Sequence, residues 1–135
     1  MLSPSATTIR IFLHVLFASV WVGGQFALAG IVPAVRRASP GTTKVIAQAF
    51  GRVAWPAFGL TVLTGMWSLM AVDISAASSE YQGTVLFHIA MAIASGVFAA
   101  VHTNGKSKAA LAVGGALGAL TALAALFLGV LLRSA

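Results

Sequence analysis

Four stretches of this 135-residue chain contain no Asp, Glu, Lys or Arg: Ile11 to Val35, Val53 to Val72, Tyr81 to Gly105, and Ala109 to Leu132. Each reaches the roughly 20 residues that an α-helix needs to cross about 30 Å of hydrocarbon. Hydrophobic residues make up 59% of the chain and charged residues 7%, and the mean hydropathy of +0.99 lies outside the range of soluble domains. The expectation is an all-α integral membrane four-helix bundle. It forms a single domain over 1–135, with helices at about 9–35, 43–72, 83–103 and 109–132. No length remains for a soluble domain.

The net charge of +6 and a pI near 11.5 raise the question of nucleic acid. The basic residues, however, punctuate apolar runs and form no patch interleaved with aromatics, so no nucleic-acid partner is expected. They read as topology signals. Arg36, Arg37, Lys44 and Arg52 separate the first two spans, and Lys106 and Lys108 the last two. The middle connection carries Asp73 and Glu80, the only two acids. By the positive-inside rule the basic loops are cytoplasmic, and both termini and the acidic loop lie on the outer, periplasmic or extracellular, side. The expected location is a bacterial-type plasma (inner) membrane, crossed several times. Arg10 before an apolar run, with Ala27-Leu28-Ala29-Gly30 behind it, has the outline of a signal peptide. The segment is read instead as a retained first membrane helix.

Thr7 or Thr8 is expected to cap the first helix, and Pro56 to bend the second. The last helix has no ionisable group and carries Gly114-x-x-x-Gly118, a spacing that permits close helix packing. A short internal echo relates "FLHVLFA" at 12–18 to "LFHIAMA" at 86–92. Both copies lie on helices running from outside to inside, so the echo would relate two parallel halves.

With no cysteine, disulfides, thiolate metal sites and iron–sulfur clusters are excluded. No acid lies within a span and no glycine-rich loop follows a strand, so a stand-alone enzyme is disfavoured. Chemistry would rest on a cofactor. His14 and His88 sit at similar depths near the outer ends of helices one and three, Arg10 stands one turn above His14, and Ala92 and Gly96 continue the His88 stripe with small side chains. Two neutral imidazoles, apolar walls and an outer cation for the propionates suit haem b. Copper(I) is the alternative, held by His14, His88, Met66, Met70 and Met91 as imidazole and thioether ligands. A third reading has both histidines hydrogen-bonding a neighbouring helix, through Ser19, Thr61, Thr64 or Ser95, in a cofactor-free structural subunit. Taken singly, each methionine reads as packing. His102 reads as an interfacial residue too far from the pair to share its site, and Trp21, Trp55 and Trp67 as anchors or packing groups.

The stretch "LHVLFASVWVGGQFALAGIVPAVRR" resembles the membrane domain of the copper-resistance protein D family, in which a His-bearing first helix leads through Trp-x-Gly-Gly to a basic turn. "FGRVAWPAFGLTVLTGMW" and "YQGTVLFHIAMAIASGVFAAVHTNGKSK" resemble that domain's next two helices, so the likeness covers most of 9–108. The arrangement is also similar to the membrane-bound haem-biosynthetic protoporphyrinogen oxidases, which bind haem b through a first-helix His. The resemblance implies copper handling in one branch and haem or porphyrin redox chemistry in the other, with His14 as the shared ligand. His88 departs from the Lys or other residue that many relatives have there, and favours a paired-imidazole site. The resulting expectation is a small b-type haem protein for electron transfer in the lipid bilayer, alone, as a homo-oligomer, or as a subunit of a larger respiratory membrane complex.

Overall fold

The computed structural model of the chain describes residues 3–134. Four long helices account for most of them: α1 (Ala6–Ala38), α2 (Thr42–Met70), α3 (Ser79–Asn104) and α4 (Lys108–Ser134). No strand occurs among the described residues. All four helices are long and apolar enough to cross a membrane.

Large apolar side chains lie mostly on the outside. Phe12, Leu86 and Phe127 are 60%, 70% and 66% exposed, and the buried positions are dominated by small residues such as Ala54, Ala57, Ala122 and Ala125. A water-soluble core has the reverse pattern. Lipid tails are as apolar as Leu, so burying large side chains gains little in a bilayer, and helices associate by close packing instead.

The helix ends follow their caps more than the hydropathy. Ser5, not Thr7 or Thr8, caps α1: its hydroxyl accepts from the Thr8 amide, and the Thr8 side chain closes the capping box on the Ser5 amide. The third helix begins four residues earlier than expected because Ser78 caps it through the Tyr81 amide, which leaves Glu80 in the first turn. Arg36 and Arg37 occupy the last turn of α1, where cations match the helix dipole. α2 continues as helix through Pro56.

The chain divides after Val72 into two compact units. The first is the antiparallel hairpin of α1 and α2, and the second that of α3 and α4. Within each unit the two helices are joined by a turn of three residues, which lets neighbouring helices pack on each other.

The hairpins pack differently. In the first, Trp21 meets Phe58 and Trp55 at ring-centroid distances of 4.6 and 5.4 Å, and Trp55 meets Phe58 edge-on at 6.1 Å. Such tilted and edge-on contacts suit the aromatic quadrupole. In the second, glycine brings backbones together. A methyl group at position 114 would sit 2.7 Å from the His102 amide nitrogen and 3.0 Å from the Phe98 carbonyl oxygen, and one at 118 would lie 3.4 Å from the Ala99 nitrogen. Gly114 and Gly118 are thus used within the α3/α4 hairpin.

Candidate functional site

His14 projects from α1 toward α2, two turns into its own helix. Its Nδ1 lies 3.0 Å from the Thr61 carbonyl oxygen and 3.1 Å from Thr64 Oγ1. The Thr64 hydroxyl is itself committed to the Leu60 carbonyl at 2.7 Å. A carbonyl only accepts, so Nδ1 carries the proton and, in the neutral ring, the lone pair is at Nε2. Thr61 and Thr64 were among the hydrogen-bonding partners anticipated for a histidine. Ser19 was another, but its hydroxyl donates to the Val15 carbonyl of its own helix at 2.7 Å.

His88 repeats the arrangement in the second hairpin. Two and a half turns into α3, its Nδ1 lies 2.8 Å from the Ala125 carbonyl oxygen on α4. The proton is again on Nδ1 and the lone pair on Nε2. The correspondence extends to the neighbour. A methyl group at Gly65 would lie 3.3 Å from His14 Cε1, and one at Gly129 would lie 3.2 Å from His88 Cε1. Each glycine stands four residues after the carbonyl that accepts from the imidazole.

A third histidine uses the same geometry. His102 Nδ1 lies 2.6 Å from the Leu111 carbonyl, and a methyl at Gly115, again four residues on, would fall 2.9 Å from that nitrogen. Here the imidazole is exposed, near the α3/α4 turn.

The two hairpins match beyond their histidines. The echo at 12–18 and 86–92 extends along α1 and α3 to Trp21 and Ser95, both buried and both seven residues after the histidine. The second helices correspond through Thr61 with Ala125 and Gly65 with Gly129. In that alignment Gly24, which receives the Phe50 ring, corresponds to Phe98, and Phe50 corresponds to Gly114. The bulky and empty members of the pair have exchanged helices. His14 and its acceptor are 47 residues apart in sequence, and His88 and its acceptor 37, so the second hairpin is the shorter toward its turn.

Arg10 is only 7% exposed and donates from Nη1 to the Ser68 carbonyl at 3.0 Å, in the last turn of α2. Ser68 in turn donates its hydroxyl to the Thr64 carbonyl. Arg10 therefore meets the C-terminal end of α2, where a cation matches the dipole, and adds a second donor to a carbonyl that also accepts from the Ala71 amide at 3.3 Å. Ala92 is half-buried and Gly96 buried on α3. Met66 and Met70 are 54% and 86% exposed on α2, and Met91 is half-buried. Among the described residues no group of three or more His, Cys, Asp or Glu gathers as a metal cage. No family model, curated protein or solved structure matches the chain.

Proposed function

We propose that the chain is a small multi-pass membrane protein that binds haem b through the Nε2 atoms of His14 and His88 and serves electron transfer, alone or within a larger respiratory complex. The observation that carries this reading is the Nδ1–H···O=C bond made by both imidazoles to the facing helix of their own hairpin. Haem iron requires the lone pair of a neutral imidazole, and ligating histidines characteristically give their other ring N–H to a carbonyl or carboxylate, which fixes tautomer and orientation. A donor set of two such rings on apolar helices fits a b-type haem. When bound, the haem supplies one-electron redox chemistry.

The protein's own part is to hold the rings and balance charge. Arg10, one turn nearer the helix start than His14, uses one of its five guanidinium donors on Ser68. The remainder suit the propionate carboxylates. Ala92 and Gly96, one and two turns after His88, keep side-chain bulk away from a flat ring. Haem and metal analysis of the chain purified from haem-replete membranes tests this reading. The expected result is about one b-type haem iron per chain. Copper bound in place of iron would transfer the site to metal handling.

We further propose that the two basic turns face the cytoplasm of a bacterial-type inner membrane. Arg36, Arg37 and Lys44 flank one turn and Lys106 and Lys108 the other, whereas Asp73 and Glu80 lie at the α2–α3 connection. Single cysteines at Ser39 and Ser75 should react with an impermeant thiol reagent from opposite sides of sealed vesicles. Labelling of both from one side would refute the topology.

A further inference from the structure

We infer that Gly65 and Gly129 are positioning residues for His14 and His88, and that the chain is built from two copies of one histidine-presenting hairpin. The significance of the glycines for haem rests on the function proposed above; their hold on the imidazoles does not. In an α-helix the carbonyl of residue i points toward the amide of residue i+4, and the Cβ of i+4 tilts back toward the helix N-terminus, over that carbonyl. Any side chain at i+4 therefore screens the oxygen from a neighbouring helix. Glycine uncovers it.

The geometry has this form at each histidine of the chain. The acceptors Thr61, Ala125 and Leu111 are followed four residues later by Gly65, Gly129 and Gly115, and in each case the imidazole occupies the space a methyl would take. At Gly65 and Gly129 that methyl would come within 3.3 and 3.2 Å of a ring carbon, tighter than ordinary packing, so the ring would have to retreat by a few tenths of an ångström. The Nδ1–H bond would lengthen as the ring withdrew. A weaker donor bond makes the imidazole a poorer electron donor at Nε2, so its affinity for haem iron falls and the ferric state is less favoured.

The test compares Gly65→Ala and Gly129→Ala with Gly59→Ala, a position on α2 where a methyl meets nothing within 4 Å. The first readout is the ¹⁵N spectrum of labelled imidazoles in the full-length, haem-free protein. The Nδ1 signal of His14 should move in Gly65→Ala and that of His88 in Gly129→Ala, with none moving in Gly59→Ala. The second is haem titration, where each of the first two variants should lose about tenfold or more in affinity, the usual scale for disturbing a ligand's outer partner. Gly115→Ala provides the same ¹⁵N test at the exposed His102 if the other variants do not fold. Imidazole signals identical to the parent protein in every folded variant would overturn the inference. Shifted signals with no haem binding by the parent protein would uphold it and reject the haem reading instead.

Discussion

A guanidinium held at 7% exposure in a chain this apolar needs a reason to be there, and Arg10 has one in the Ser68 carbonyl. Its long stem lets a cation on α1 reach the negative end of α2. The sequence placed Arg10 one turn above His14 but not against α2, because a backbone acceptor has no residue identity to read. The same limit applies to the histidines. Their isolation in apolar runs was visible, and Thr64 could be anticipated for His14, whereas Ala125 and Leu111 accept through backbone that any residue would supply. The glycine four residues past each acceptor is present in the sequence but has meaning only once the acceptor is known. At the α2–α3 connection, Asp73 accepts from the Ser75 hydroxyl at 2.7 Å and the Ala76 amide at 3.3 Å. The Ser75 bond first, and the Ala76 bond second, hold its carboxyl below the ordinary Asp value. A lowered folded-state value stabilises the turn above the unfolded-state pKa of about 3.9, and that contribution is lost as pH falls through the lowered value. Protection of the Ala76 amide, taken relative to its intrinsic exchange rate at each pH, should fall below about pH 4, and Asp73→Ala should lack that protection already at neutral pH. Protection in the parent protein that does not change with pH would contradict this assignment.

At the scale of elements, composition gave four helices and nearly their limits, since absence of charge over about 20 residues leaves few alternatives to a membrane span. The ends were less legible. Hydropathy stops where lipid would stop, while helices stop at caps: Ser5 and Ser78 each extend an apolar run into a polar turn that hydropathy discounts. The Gly114/Gly118 spacing announced close packing but not its partner. The α3 backbone is that partner, reached because Phe98, Ala99 and His102 present main chain rather than bulk to the glycines. The first hairpin solves the same problem with aromatic rings in tilted contact across α1 and α2. One supersecondary plan thus tolerates two packing styles. What is kept in both is the histidine, its carbonyl and the glycine beside that carbonyl.

Across the whole molecule, the seven-residue echo at 12–18 and 86–92 was the faint trace of a larger likeness. The second helices of the two hairpins share little sequence, because what corresponds there is a backbone oxygen and the absence of a side chain. Neither leaves a pattern that hydropathy can register. Two hairpins that each orient one imidazole by the same backbone bond match as two copies of one unit. The proposal put to the test is that His14 and His88 both serve one b-type haem. Its most direct test is the reduced-minus-oxidised absorption spectrum of the purified chain beside His14→Ala, His88→Ala and His102→Ala. A low-spin b-type spectrum is expected in the parent protein and in His102→Ala, lost or converted to high spin in each of the other two. An unchanged spectrum in both His14→Ala and His88→Ala, or no haem spectrum in a parent protein taken from haem-replete membranes, would contradict it.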